Sequence, residues 1–105
     1  MKKVFISCPM KNRTKEQIEN TIARMKAKAK EIYNDVEFIN TIVQDKPPYE
    51  TNNQSIWYLG KSIELLAQCE MLVCLKDVDN YNGCFIEKEI AKRYSLQVIE
   101  LEIEE

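Results

Sequence analysis

A glutamate that follows a glycine-containing turn is the first candidate for chemistry in this chain. Glu87 lies four residues after Gly83, and apolar runs typical of buried strands flank this segment at 71–75 and 97–101. In open α/β sheets, ligands bind beside the loops at the carboxyl ends of strands. A carboxylate there can attack or stabilise an electron-poor carbon, as in the cleavage of glycosidic bonds. The positive end of the helix dipole is expected to keep Glu87 ionised.

Other reactive residue types are scarce or scattered. The chain has no histidine, which excludes Ser-His and Cys-His nucleophile pairs. Its cysteines lie in separate segments without a Cys-x-x-Cys pair, so we expect buried, reduced thiols and no metal site. These cysteines are Cys8, Cys69, Cys74 and Cys84. Acid-base chemistry therefore falls to Asp, Glu, Tyr, Lys or Cys.

Hydrophobic periodicity predicts strands alternating with helices. The predicted order is β-α-β-loop-α-β-α-β, which indicates a mostly parallel sheet of four to five strands in a three-layer α/β sandwich. Residues 1–105 are expected to form a single domain. The predicted strands are 3–7, 36–40, 71–75 and 97–101, and the predicted helices are 14–33, 55–67 and 84–94.

Capping signals and apolar stripes refine the helices. Thr14 with Gln17 predicts a capping box, and Ser55 is the expected cap of the second helix. Residues 41–53 are expected to form a surface loop of the kind that often covers binding sites. The inward stripes are expected to be Ile18, Ile22, Met25, Ala29 and Ile32 in the first helix, and Ile56, Leu59, Ile63 and Leu66 in the second.

The turn after the first strand lacks the glycines of a phosphate-binding loop. Residues 8–14 contain none, and the whole chain has two. The usual nucleotide-cofactor folds are therefore disfavoured, and we expect no cofactor. Ser7 could still face a ligand at the sheet edge, and Lys11 and Arg13 could attract a phosphate. The alternative is a tight turn whose cations simply face solvent.

Three motifs in order resemble one family. They are Phe5-Ile6-Ser7-x-Pro9-Met10, Trp57-Tyr58-Leu59-Gly60-Lys61-Ser62, and Gly83-Cys84-x-Ile86-Glu87 followed by Ala91 and Tyr94. Together they resemble the nucleoside 2-deoxyribosyltransferase-like superfamily, and they are most similar to short phage and prophage transferase-like proteins of unknown function. The resemblance covers about residues 3–101.

This resemblance implies a flavodoxin-like, Rossmann-like fold and an enzyme that cleaves the N-glycosidic bond of nucleosides or nucleotides. On the matched motif Glu87 is the nucleophile that attacks the anomeric carbon, and either another base or water then takes the sugar. The candidate substrate-binding residues are Ser7, Pro9, Met10, Ser62, Asp77, Gly83 and Cys84. The family also implies a homodimer or a higher homo-oligomer, with the helix at 56–66 as the contact.

One position departs from the family pattern. Ser62 stands where the transferases carry an aspartate that helps to protonate the leaving base. A serine hydroxyl can donate a hydrogen bond to a sugar or phosphate, but it is no general acid at neutral pH. Asp77 or Asp79 could fill that role. The departure leaves open a non-catalytic nucleotide-binding protein, sequestering or regulatory, and also a plain partner-binding domain.

Net charge and targeting signals limit the kinds of partner that we expect. The formal net charge of -2 gives no basis for binding a nucleic acid polymer. We also expect no membrane association, since no apolar run approaches the length of a span and no signal peptide is evident. The expected location is cytoplasmic, and the expected partner is a small-molecule nucleoside or nucleotide.

Overall fold

The computed structural model describes residues 1–43 and 45–103. The predictions of a surface loop and of a single domain also include Gln44, Glu104 and Glu105, which lie outside the described residues. The elements in chain order are β1 (Lys2–Ser7), α1 (Lys15–Ile32), β2 (Val36–Phe38), α2 (Gln54–Leu66), β3 (Met71–Leu75), α3 (Asn82–Arg93) and β4 (Gln97–Leu101).

The described strands form one four-stranded sheet of order β2-β1-β3-β4, with every neighbouring pair parallel. The register places Ser7, the last residue of β1, opposite Cys74 of β3. The predicted bounds of β3 and β4 are confirmed, whereas β2 ends two residues earlier than predicted. The predicted parallel α/β sheet is therefore correct, with four strands.

Helices cover both faces of this sheet and make three layers. Successive residues of a strand point to opposite faces, so Ile6 packs in a core with Met25 of α1. Phe5 packs in the other core with Leu66 of α2 and Ala91 of α3. The architecture is a flavodoxin-like three-layer sandwich. Within the described part of the chain, no helix is both long and apolar enough to cross a membrane.

The helix starts confirm one predicted cap and correct another. Thr14 and Gln17 form the predicted capping box of α1. The cap of α2 is Asn53 instead of Ser55, because the Asn53 side-chain oxygen accepts the Ile56 backbone N–H at 3.0 Å. Asparagine and serine cap helices about equally well, so residue type alone did not separate them. The third helix begins at Asn82, two residues before its predicted start.

The predicted apolar stripes are buried only in part. In α2 Leu66 is 2% exposed, but Ile56 at the other end of the same stripe is 67% exposed. In α1 Ile32 is also exposed, although the periodicity placed it inward. The C-terminal end of α2 packs into the core, while its first turn leaves Ile56 open to solvent.

Candidate active site

The site lies where the connections of the sheet diverge. From β1 the chain leads through α1 to β2 on one side, and from β3 it leads through α3 to β4 on the other. In folds of this kind the crevice at such a switch point, outside the carboxyl ends of the strands, is the usual ligand site. A cavity of about 690 Å³ is lined here by residues of β1, the β1–α1 turn, α2, the β3–α3 loop and α3. This volume is in the usual range for small-molecule pockets.

Glu87 borders this cavity from the second turn of α3. Its side chain is buried, with the residue 7% exposed, and its Oε1 accepts a hydrogen bond from the Ser7 hydroxyl at 2.7 Å. The next two residues turn away, because Lys88 pairs with Glu100 at 3.0 Å and Glu89 pairs with Arg93 at 3.1 Å. The carboxyl group aimed at the cavity is thus that of Glu87.

Burial decides the protonation of this carboxyl group. It raises the pKa of Glu87 from its ordinary value of 4.5 to about 7, and the hydrogen bond from Ser7 opposes the rise only in part. The expectation that the helix start keeps Glu87 fully ionised is therefore wrong. The free-energy cost of burying the charged carboxylate outweighs the stabilisation that the helix dipole gives it. At neutral pH the protonated and ionised forms are present in comparable amounts.

Cys84 lines the cavity one helical turn before Glu87. Burial raises the pKa of its thiol to about 11; a hydrogen bond with Ser7 opposes the rise, and the nearby Glu87 adds to it. The thiol is protonated at neutral pH, and the nucleophilic form of cysteine is the thiolate. Cys84 consequently serves as a wall of the cavity rather than as its nucleophile.

The opposite wall belongs to α2 and the loop before it. Tyr58 and Ser62 line the cavity from successive turns of the helix. The Tyr58 ring meets Trp57 edge-on, with centroids 5.0 Å apart. In the loop, Thr41 is buried and also lines the cavity, and its hydroxyl donates to the Ile6 carbonyl oxygen at 3.2 Å. The loop predicted at 41–53 thus contributes to the site, as far as it is described.

The two cations of the turn after β1, Lys11 and Arg13, have different surroundings. Arg13 donates to the Pro9 carbonyl oxygen at 3.1 Å and to the Thr21 hydroxyl at 2.6 Å, so it ties the turn to α1. Lys11 lines the cavity and is exposed. Of the two cations expected to attract a phosphate, the geometry places Lys11 at the cavity and gives Arg13 a structural role.

Most of the predicted site residues lie at this cavity. Met10, Ser62, Gly83, Cys84 and Glu87 all line the one cavity. Ser7 joins them through its bond to the Glu87 carboxyl group.

The remaining two lie elsewhere. Pro9 is buried in the turn and does not line the cavity. Asp77 lines a separate groove beside α1, and its backbone has a φ of 60° as the chain leaves β3. The expectation that Asp77 could supply a proton to a base at Glu87 is not supported by this position.

Several lining residues were missed from the sequence. Thr41, Asn53, Asn80 and Asn82 border the cavity. Asn80 and Asn82 flank Tyr81 just before Gly83, and this position in the sequence could have identified them as site residues. Thr41 and Asn53 belong to the loop predicted to cover a binding site, but nothing in the sequence singled out these two positions within it. Across the described residues, no cluster of three or more His, Cys, Asp or Glu side chains could hold a metal ion.

Comparisons with known proteins support the fold alone. No family model matches the chain. No curated protein matches it either. Among solved structures, a conserved protein from Enterococcus faecalis V583 superposes with a TM-score of 0.66 at 17% sequence identity. The match covers 99% of this chain but 65% of that protein, so the chain spans a little under two thirds of its length. The shared feature is the flavodoxin-like α/β architecture.

Proposed function

We propose that this protein cleaves the N-glycosidic bond of a nucleoside or nucleotide, with Glu87 as the nucleophile. One observation carries the proposal: a buried carboxyl group, held at Oε1 by Ser7, borders a ligand-sized cavity at the switch point of the sheet. The resemblance of the three sequence motifs to the deoxyribosyltransferase-like superfamily supports the same reaction.

The chemistry follows from the placement of the carboxylate. The transition state of glycosidic cleavage resembles an oxocarbenium ion, so an ionised carboxylate beside the anomeric carbon stabilises the developing charge. Because Ser7 occupies Oε1, the other oxygen is the one available to attack. Water or a second base then releases the sugar from the ester. Only the ionised form reacts, so kcat/KM should rise with pH through an apparent pKa of about 7.

Release of free base is the direct test. The protein is incubated with deoxynucleosides, ribonucleosides and their monophosphates, and the free base is measured by chromatography. Glu87→Gln should abolish release, because the amide cannot form the ester. Glu89→Gln is the matched control, since Glu89 is on the same helix but pairs with Arg93 outside the cavity. Release that persists undiminished in Glu87→Gln would refute the nucleophile.

A non-catalytic binding protein is the competing function, and the serine at position 62 favours it. Nucleotides would then raise the melting temperature without any turnover. A broad panel that stabilises the protein but yields no free base would favour this function over the enzyme. Cys8, Cys69, Cys74 and Cys84 are all buried. Buried thiols suit the reducing cytoplasm, where we place either activity.

We also propose that the protein forms a homo-oligomer through α2. Ile56 is 67% exposed and Phe85 at the start of α3 is 44% exposed. Ile56 also lines the cavity, so a second copy packed on this face would border the site. Association would remove these exposed apolar side chains from water.

A further inference from the structure

We propose that the cavity selects substrates whose glycosidic nitrogen already carries a positive charge, with pyridinium N-glycosides as the class. These include nicotinamide riboside, its phosphate and its dinucleotide. The inference rests on the proposed function, because it assigns the substrate class of the Glu87 site. It comes from the side chains that surround that carboxyl group.

The first argument concerns the leaving group. A neutral purine or pyrimidine leaves as an anion unless an acid protonates it, and such general acid catalysis typically contributes about 10²–10⁴-fold. Glu87 is the one carboxyl group among the described residues that line the cavity, and Ser62 occupies the wall where an acid would serve. A pyridinium nitrogen needs no proton, because it departs as a neutral pyridine. The site therefore matches a base that leaves unaided.

The second argument concerns recognition of a cation. Tyr58 and Tyr81 line the same cavity as Glu87. Aromatic faces attract cations, and the attraction grows when the cation is removed from water. A cationic base would also favour the ionised form of Glu87, since an opposite charge nearby lowers a carboxyl pKa. Binding of the substrate would thus help to generate the reactive carboxylate.

The other titratable groups around the cavity are compatible with this role. They are Cys8 and Lys11 from the β1–α1 turn, Tyr58 from α2, Tyr81 before α3 and Cys84 within α3. Among them Lys11 carries the positive charge, and its exposed position suits a 5′-phosphate rather than the base. A nucleotide with a cationic base and an anionic phosphate would place opposite charges against Glu87 and Lys11.

The reaction balances with water alone. The bond from the anomeric carbon to the pyridinium nitrogen breaks, and its electron pair neutralises the ring. The free oxygen of Glu87 bonds to that carbon and forms a glycosyl ester. Water then adds its hydroxyl group to the carbon, the carboxylate leaves, and one proton is released. The products are a neutral pyridine and a free sugar, a sugar phosphate or, from the dinucleotide, ADP-ribose.

Two matched pairs of substrates test the charge requirement. Nicotinamide riboside is compared with its uncharged dihydro form, and 7-methylguanosine with guanosine. Each enzymatic rate is divided by the rate of spontaneous cleavage in buffer, which corrects for the intrinsic lability of each substrate. We expect the cationic member of the nicotinamide pair to be accelerated at least about 100-fold more than the neutral member, the lower end of what a general acid supplies. Equal acceleration within that pair would overturn the inference. The guanosine pair separates a general requirement for charge from a preference for pyridinium.

A variant pair tests the missing acid directly. Ser62→Asp should raise the rate of guanosine cleavage relative to that of nicotinamide riboside, because it supplies a proton donor that only the neutral base needs. Ser62→Asn has a similar size but supplies no acid, so it should not raise cleavage of guanosine. The inference fails if Ser62→Asp and Ser62→Asn change the cleavage rates of both substrates alike, and if the charged and uncharged nicotinamide ribosides are accelerated equally.

Binding supplies a readout that does not need turnover. At pH 8 the oxidised riboside should raise the melting temperature more than the dihydro form, and Glu87→Gln should reduce that preference. A charge preference that is undiminished in Glu87→Gln would overturn the inference. If neither pair is cleaved while other nucleosides or nucleotides yield free base, or if charged and neutral members are cleaved equally, only this substrate class is refuted, whereas no release of base from any substrate refutes the proposed enzyme.

Discussion

Glu87 is held between two opposing influences at the scale of a single residue. Burial favours its protonated form, and the hydrogen bond from Ser7 favours the ionised form. Burial is the larger influence, so the pKa lies near neutrality. A group poised there can change its charge when a ligand arrives, which is a common property of functional carboxyl groups.

The first prediction is that Glu87 makes stability depend on pH. Its folded pKa of about 7 lies above the ordinary value of 4.5, so the folded state binds more protons between these values. Stability should fall as pH rises through that window, by up to about 3 kcal/mol. Glu87→Gln does not ionise and should escape this loss. Urea unfolding at pH 4.5, 6 and 8 measures the free energy of unfolding of the natural protein and of Glu87→Gln. A difference between them that stays constant with pH would contradict the prediction.

The second prediction concerns Ser7. Ser7→Ala removes the hydroxyl that donates to Oε1, so the pKa of Glu87 should rise above 7. Titration of the glutamate side-chain carbons by NMR reports this without any need for turnover. Ser7→Thr keeps the hydroxyl and should keep the titration near that of the natural protein. Thr21→Val removes another buried hydroxyl, one that does not line the cavity, and should leave the titration unchanged.

At the scale of elements, helix starts depend on which polar side chain has the right backbone conformation. Asn53 is in an extended conformation, with φ -144° and ψ 97°, and its side chain reaches back to the helix. Ser55 is already inside the first turn. The cap is therefore set by the path of the loop that enters the helix.

The third prediction compares these two positions. Asn53→Ala should lower the free energy of unfolding by about 1 kcal/mol, because it leaves the Ile56 N–H without its partner. Ser55→Ala should change it by less than about 0.5 kcal/mol, since its side chain makes no cap. Denaturant unfolding of both variants decides between them, and equal losses would indicate that the cap is assigned to the wrong residue.

At the scale of the whole molecule, the centre of the sheet is buried while some apolar side chains of the helices are exposed. Both faces of β1 and β3 are covered, and Met71, Leu72 and Val73 are each 0% exposed. By contrast, Ile56 on α2 and Phe85 on α3 are exposed among the described residues. Association of two copies would bury them next to the cavity.

The fourth prediction is that Ile56 is needed for association. Ile56→Lys should convert an oligomer to a monomer, because it places a charge at the centre of the proposed contact. Ile32→Lys is the control, since Ile32 is also an exposed isoleucine but lies at the end of α1. Light scattering at micromolar concentration measures the mass. A natural protein that is already monomeric, or equal effects of the two substitutions, would refute the proposed contact.

The sequence by itself determined the architecture and the candidate nucleophile. An uninterrupted apolar run at 71–75 and a partly apolar run at 97–101, separated by helical periodicity, predicted a parallel sheet, and the bounds of β3 and β4 agree. These features are local, so the pattern of side chains is enough to indicate them. Glu87 was found in the same way, from its spacing after Gly83 and from the resemblance of the motifs.

Only the tertiary structure decided what surrounds Glu87. Ser7 is eighty residues away in sequence, and Thr41 is one position of a long predicted loop, yet both reach the site through the order of the strands. Asp77 lines the separate groove beside α1, although Tyr81, four residues later in the same loop, lines the cavity. Burial of the carboxyl group, and hence its pKa, depends on how distant segments pack together, which no local pattern specifies.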